Sequence, residues 1–257
     1  KCDFYQFIHI EGLTAKEFRQ QRINPLDYLL VDNAEFVDNA RALASSLVVR
    51  DDPSSFFYNE AETFLFQLIV SVCVKYPIGS PLRNIETVRT LLTFAPFDDA
   101  DGSLLDWVEL LLQDKTIPNY LKTIPEELRA YLIRNKNQPA AAFNNTYSFC
   151  LQATEFVTNP SVADSLTTSN MDLMQLKTNP QTLYLVLDLQ RLTFNSAVYK
   201  PFIRFIVTTV MLGASVRVGS ANKPKDRVLF LLDEIAQLGN LQYLPNMLSI
   251  YAGMGIT

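Results

Sequence analysis

Apolar positions recur at helical spacing through the first two thirds of the chain. Between Glu35 and Leu47 they fall three and four residues apart, which predicts an amphipathic helix. The same spacing continues through residues 52–157, and no run there has the pattern of a strand covered on both faces. We call residues 52–157 the helical block and predict that it is all-helical. Its longest helix is expected from about Pro139 to Val157.

The pattern changes after the helical block. The segment "TLYLVLDL" (Thr182–Leu189) is rich in strand-forming residues, and "AVYKPFIRFIVTTVMLGA" follows it with helical spacing. Next, five consecutive apolar residues, Val228–Leu232, predict a strand buried on both faces of a sheet. Alternation of strand and helix indicates a parallel sheet with right-handed crossovers.

Sheet elements are expected on both sides of the helical block, because "FYQFIHI" near the start is a further short candidate strand. The predicted fold is therefore α/β, with an inserted all-α domain. We expect a first part of the sheet domain at residues 1–51, the insertion at 52–157 and the second part at 158–257.

The segment "INPLDYL" (Ile23–Leu29) is predicted to be extended and to enter a turn. Pro25 excludes the helical conformation for the preceding Asn24. Asp27 is then placed to cap the element that follows.

Two adjacent carboxylates, Asp233 and Glu234, follow the second apolar run directly. The carboxyl ends of strands in α/β sheets face the ligand crevice. A nucleotide site there needs a carboxylate near Mg²⁺ and a polar group that orients the attacking water. The alternative is that the pair begins the next helix, whose positive end favours acidic side chains.

Composition narrows the class of protein. The chain has 257 residues, of which 48% are hydrophobic and 17 are Phe, as expected for a folded globular protein. The three cysteines, Cys2, Cys73 and Cys150, are widely spaced in apolar sequence. This arrangement favours buried thiols in a reducing compartment over a disulfide framework or a metal site.

The net charge of −5 gives no overall basic footprint for nucleic acid. Residues 51–150 carry 13 acidic and 8 basic residues, which accounts for the whole imbalance. The stretch from Phe97 to Asp114 is acidic and should repel single-stranded DNA. Recognition of basic protein segments is therefore the better functional hypothesis for the helical block. The alternative is that these acids form an ordinary solvated face.

The segment "VLFLLDEIAQLGNLQYLPNMLSIYAGMGI" resembles the Walker B region of the TraG/TraD-type coupling proteins. These ATPases link DNA-transfer or effector substrates to type IV secretion channels. The resemblance extends to the small-residue turn "AQLGN", to "AGMGI" after it, to the preceding strand in "NPQTLYLVLDLQRL" and to "INPLDYL". The helical block also lies where this family inserts its all-helical domain.

The resemblance implies specific roles for the two carboxylates. Asp233 would hold Mg²⁺ on bound ATP through water, and Glu234 would polarise the attacking water. It also implies a RecA-like nucleotide domain that assembles as a homo-hexamer, anchored to the bacterial inner membrane on its cytoplasmic face. The implied partners are relaxase and accessory proteins, secreted effectors, single-stranded DNA and components of the secretion channel.

One part of this site is not in the sequence. No G-x-x-x-x-G-K-[ST] phosphate loop occurs in the 257 residues. The chain begins at Lys1 without Met and ends at Thr257 inside a patterned run, so we expect it to be part of a longer protein. In the family the loop lies upstream of this region, and we predict that the chain alone binds ATP negligibly.

Other residues have weaker functional interpretations. Asp188 could line the nucleotide crevice or cap a turn, and the cap is favoured. Arg191 and Arg204 could reach the phosphate of a neighbouring subunit, although surface salt bridges are the favoured role for both. Trp107 is predicted to pack in the core, and His9, the only histidine, has no ligand partner at suitable spacing.

Two alternatives to an ATP-driven coupling protein remain open from the sequence. The region could serve mainly as a substrate-docking module, whether or not ATP turns over. It could also belong to a related RecA-like DNA translocase, although such a protein should lack a helical insertion of this size.

Overall fold

The structure, a computed structural model, describes residues 5–9, 22–50, 56–94, 96, 102–136, 140–177, 182–185, 193–215 and 227–233. Two strands, β1 (Tyr5–His9) and β2 (Thr182–Leu185), pair in parallel, with Tyr5 opposite Thr182 and an irregularity between Phe7 and His9. The pairing joins segments from the two sides of the helical block. Of the predicted strand at 182–189, the last four residues lie outside the described part.

The described part of the helical block is helical, as predicted. Its helices are α2 (Phe56–Lys75), α3 (Ile85–Thr93), α4 (Leu104–Gln113), α5 (Thr123–Lys136) and α6 (Ala140–Ala153). The flanking helices are α1 (Phe36–Leu47), α7 (Pro160–Leu166) and α8 (Ser196–Ser215). Short 3-10 helices occupy Pro25–Tyr28, Asn119–Leu121, Glu155–Thr158 and Leu173–Lys177.

Helix α2 lies at the centre of the helical arrangement and packs against α1, α3, α4, α5 and α6. Its apolar side chains point in every direction, so it is buried around most of its circumference. Phe64 lies within an aromatic cluster, with ring centroids 5.5 Å from Tyr131 and 6.1 Å from Phe143. Within the described residues, one core of buried side chains extends from Ile23 to Leu212.

The prediction of one helix from Pro139 to Val157 is wrong for its last four residues. Helix α6 ends at Ala153, and a 3-10 helix and α7 follow it. Asn159 precedes Pro160 and adopts an extended conformation, which ends the 3-10 helix and separates it from α7. The Asn159 side chain then accepts a hydrogen bond from Ser161 N (3.0 Å), and Pro160 occupies the first turn of α7.

The "INPLDYL" segment is also capped differently from the prediction. Asn24 is extended, as Pro25 requires, but Asn24 itself caps the 3-10 helix by accepting from Leu26 N at 3.1 Å. Asp27 lies inside that helix and accepts a hydrogen bond from the Asn24 side chain at 3.1 Å. The prediction that Asp27 is the cap is therefore wrong.

Four helices in the described part end against a cation from another element. The last carbonyl groups of a helix lack internal donors and favour positive charge. Arg204 donates to the end of α1, Arg83 to the end of α2, Lys122 to the end of α4 and Arg89 to the end of α6. Arg204 and Arg89 thereby join helices that are distant in sequence, whereas Lys122 and Arg83 lie within about ten residues of the helix ends they bind.

Helix α8 is long and apolar enough in composition to cross a membrane. In this structure most of it is buried inside the protein, and it packs on α1.

Candidate functional site

The first predicted site residue lies in the segment Arg227–Asp233, which has no helical residue and forms an isolated β-bridge at Val228. Its side chains alternate between half-buried and exposed positions. Leu229 is 73% exposed and Leu231 is 88% exposed. The predicted burial on both faces is therefore wrong, because only one face of this segment is covered.

Asp233 is exposed and lies in a turn at the end of this segment. Glu234 and Asp188 lie outside the described residues, and so does Arg191. The structure therefore fixes one of the two predicted site carboxylates, at the position where an apolar run ends.

His9 and Leu185 are opposite each other at the carboxyl ends of β1 and β2. In a parallel sheet this edge is the one that faces a ligand crevice. The pairing thus places the end of β1 next to Leu185, the last residue of β2.

A resident metal centre made only of protein ligands is not found among the described residues, which contain no group of three or more His, Cys, Asp or Glu side chains at metal-binding distances. Magnesium on a nucleotide is commonly held by one or two carboxylates together with phosphate oxygens and water. A single exposed carboxylate such as Asp233 is compatible with that donor set.

Arg204 does not have either of the roles considered from the sequence. Its side chain is 3% exposed and donates from Nε to Ser46 O at 2.8 Å, and from Nη2 toward Ser45 O and Val48 O at 3.4 and 3.3 Å. Both a surface salt bridge and a contact to a neighbouring subunit's phosphate are therefore wrong for Arg204. Burial lowers the pKa of this guanidinium to about 10, so it remains charged near neutral pH.

Arg83 is the most buried of the four capping cations, and the sequence analysis missed it. Nε donates to Leu26 O at 3.2 Å and Nη2 to Leu29 O at 2.5 Å. Nη1 donates to Tyr76 O at 2.7 Å and also to Cys73 O. The guanidinium therefore joins the end of α2 to the 3-10 helix that precedes α1.

Local signals for these buried cations are weak. Arg204 stands among apolar residues in "PFIRFIV", which is a cue that its side chain faces the core. Arg83 follows the turn "PIGSPL", where no periodicity indicates which side is buried. Most of the carbonyl groups that they bind come from distant segments, and none of these carbonyl groups has a sequence signature.

The acids of the Phe97–Asp114 stretch that the structure describes have partners within the chain. Asp106 forms a capping box with Ser103 at the start of α4. Glu109 accepts from Arg129 Nε at 2.5 Å, and Asp114 from Lys75 Nζ at 2.9 Å. Hydrogen bonding from Thr116 and then Lys75 holds the pKa of Asp114 well below its usual range. These contacts favour a structural role for the three acids.

Trp107 is partly buried and packs against the core, which confirms the prediction made for it. Cys73 and Cys150 are buried free thiols, also as predicted. Burial raises the pKa of both thiols, that of Cys73 to about 12. Neither thiol is therefore activated for catalysis.

Two clefts lie among the described residues. One, of about 420 Å³, is lined mainly by apolar side chains between the start of α1 and the start of α5, including Phe36, Tyr120 and Ile124. The other, of about 190 Å³, lies between the end of α1 and the start of α8 and includes Tyr58 and Lys200. Neither cleft includes Asp233.

A scan against protein-family models matches residues 6–257 to the family described as Type IV secretory system Conjugative DNA transfer. The chain belongs to this conjugative DNA transfer family. The match confirms the resemblance to the TraG/TraD-type coupling proteins. It includes β1 except Tyr5, the helical block, β2, α8 and the segment that ends at Asp233.

A search of curated proteins gives no significant match to this member of the conjugative DNA transfer family. The family match therefore supplies the coarse role, conjugative DNA transfer through a type IV secretory system. Hypotheses about ATP hydrolysis, substrates and individual residue roles must come from the residues of this chain.

Proposed function

We propose that this chain is the cytoplasmic part of an ATP-driven coupling protein that recruits substrates to a type IV secretion channel. The observation that supports this most directly is the family match over residues 6–257, which includes the apolar segment and its terminal Asp233. The proposed fold is a partial RecA-like parallel sheet with the helical block inserted into it. The proposed assembly is a homo-hexameric ring at the cytoplasmic face of the inner membrane.

Asp233 and Glu234 have different roles at the proposed nucleotide site. Bound Mg²⁺-ATP supplies the phosphoryl group and the cation that neutralises its charge. Asp233 would hold Mg²⁺ on bound ATP through water, and its exposed position at the end of the segment suits that role. Glu234 orients and polarises the attacking water and takes up its proton.

The phosphate loop is a separate requirement of this proposal. Backbone N–H groups and a Lys of that loop bind the phosphates, whereas two carboxylates alone repel them. We therefore expect no saturable binding of Mg-ATP to this 257-residue chain by titration calorimetry. Binding near micromolar concentration would contradict this expectation.

The helical block is the proposed substrate-recognition region. Several large apolar side chains of the block are exposed, and among them Leu110 is 64% and Tyr120 is 67% exposed. Because Asp106, Glu109 and Asp114 have intrachain partners, apolar contacts are better candidates than these acids for binding relaxase, accessory or effector proteins. Single-stranded DNA carried with a relaxase remains part of the proposal.

The experiment that separates an ATP-driven function from a docking module is a transfer assay in cells with Glu234→Gln in the whole coupling protein. The expected result is loss of substrate transfer while pull-down of substrate proteins is retained. Leu110→Ser combined with Tyr120→Ser serves as the matched comparison and should lose pull-down. Transfer at the normal level with Glu234→Gln would favour the docking module.

A further inference from the structure

The helical block is inserted in sequence, and the contacts at its edges show how firmly it is joined to its neighbours. The flanking helices are α1 before the block and α7 and α8 after it. We use "flanking segments" for residues 22–50 and 160–215, of which residues 22–50, 160–177, 182–185 and 193–215 are described. The question is whether block and flanking segments open independently.

One connection runs from α8 through α1 to the start of α2. Arg204 on α8 donates to carbonyl groups at the end of α1, including Ser46 O at 2.8 Å. Just beyond that helix end, Arg50 donates to Glu62 at 2.5 Å and to Asn59 at 2.7 Å, both on α2. The side chains of Arg50 and Glu62 are nearly buried, so water screens this ion pair poorly.

A second connection is made at the opposite end of α2. Arg83 binds Tyr76 O at the end of α2 and Leu26 O and Leu29 O in the first flanking segment. In return, the side chain of Asn24 donates to Arg83 O at 2.5 Å. The attachment points Asn59 and Tyr76 are 17 positions apart, so the two connections are separated by about 25 Å along α2.

Packing continues without a gap across the second predicted domain boundary, at 157/158. Phe156 is fully buried, and its ring centroid lies 5.7 Å from that of Phe202 and 6.2 Å from that of Phe205 on α8. Within the described residues, one core includes side chains of both the block and the flanking segments. A hinge at this boundary would have to expose these rings to water.

We propose that the helical block and the flanking segments unfold as one cooperative unit. The contacts of Arg204 and Arg50 join them near the start of α2, and the contacts of Arg83 join them at its end. The block does not swing relative to α1 and α8. A displacement of α8 moves the exposed surface of α4 and α5 with it. This inference does not depend on ATP hydrolysis and holds for the 257-residue chain.

The test compares two probes in the 257-residue chain, one on each side of the boundary. Labelling of the buried thiols Cys73 and Cys150, followed at each site by mass spectrometry, reports opening of the helical block. Amide hydrogen exchange of α8 reports opening of the flanking segment. In the wild type, the rate of thiol labelling and the rate of α8 exchange should depend on denaturant concentration in the same way.

Arg204→Met is the decisive variant because Arg204 lies outside the block. It should raise the Cys150 labelling rate and the α8 exchange rate by the same factor, on the order of 10-fold or more. Arg22→Met is the matched control, because the Arg22–Asp164 pair is exposed and should give a factor near one.

Faster α8 exchange with unchanged Cys150 labelling would overturn the proposal, because the block would then open separately. If Arg204→Met does not fold, Arg204→Lys keeps the charge and is compared in its place. The denaturant dependence measured in the wild type tests the proposal without any variant. Two different denaturant dependences for the thiols and for α8 would also overturn the proposal.

Discussion

Arg204 Nε lies 2.8 Å from the carbonyl oxygen of Ser46, although the two residues are 158 positions apart in the chain. The contact gives a buried guanidinium the acceptors it needs and gives the end of α1 the donors it lacks. Arg83, Lys122 and Arg89 make contacts of the same kind at other helix ends. Cations bound to helix carbonyls are therefore a repeated means of joining elements in this protein.

Loss of the Arg83 guanidinium should be among the most damaging single changes. Arg83→Met leaves the carbonyl groups of Leu26, Leu29, Cys73 and Tyr76 without this donor in a buried place. We expect the free energy of unfolding to fall by about 3 kcal/mol or more, measured by urea denaturation. Arg129→Met, which removes a half-exposed ion pair with Glu109, should cost less than about 1 kcal/mol. Equal effects of the two substitutions would contradict the assignment.

The capping box formed by Ser103 and Asp106 should stabilise the start of α4. Asp106 accepts from Ser103 N at 2.9 Å, and Ser103 Oγ accepts from Asp106 N at 3.1 Å. Ser103→Ala should lower the free energy of unfolding by about 1 kcal/mol in the same urea assay. Glu126→Gln, at an exposed acid, should change it by no more than about 0.5 kcal/mol. An unchanged Ser103→Ala variant would show that the box contributes nothing.

Gly213 marks a close approach between α8 and the 3-10 helix Leu173–Lys177. A Cβ atom at Gly213 would lie 2.6 Å from Leu173 Cβ. Gly→Ala inside a helix ordinarily stabilises by up to about 1 kcal/mol. Here Gly213→Ala should instead destabilise by about 1–3 kcal/mol, because the two backbones must separate. A thermal unfolding midpoint above that of the wild type would contradict this packing.

Asp114 should contribute to the acid sensitivity of the fold. Thr116 and Lys75 hold its folded-state pKa below the ordinary value near 4. Its stabilising effect is therefore fully present above about pH 4 and is lost as the pH falls further. The difference in thermal midpoint between wild type and Asp114→Asn should be constant at about pH 5–7 and shrink below about pH 4. A difference that grows on acidification would have the wrong sign.

Much of the helical architecture follows from apolar spacing. The spacing locates α1 and α8 to within about two residues of their observed ends, and the described part of the helical block is helical as the same spacing predicts. It fails at residues 154–157, where α6 has already ended although the apolar pattern itself continues. The division into three sequence segments stays a prediction.

Some features of the candidate site could also be predicted from the sequence, and others could not. An apolar run that ends in Asp233 is visible in the sequence, and its resemblance to Walker B segments gives the carboxylates their proposed roles. The role of Arg204 could not be predicted, since its acceptors are main-chain carbonyl groups more than 150 residues away. Periodicity carries no information about such partners.

ATP hydrolysis by a coupling protein that joins this chain to its phosphate loop tests the central proposal most directly. The assay compares the wild type with Glu234→Gln, and both are checked for folding and ring assembly. We expect hydrolysis by the wild type and its loss in Glu234→Gln, with nucleotide binding retained. A folded, assembled wild type that never hydrolyses ATP, even with DNA and partner proteins added, would contradict the account. Asp233 and Glu234 would then only end an apolar segment and begin a helix.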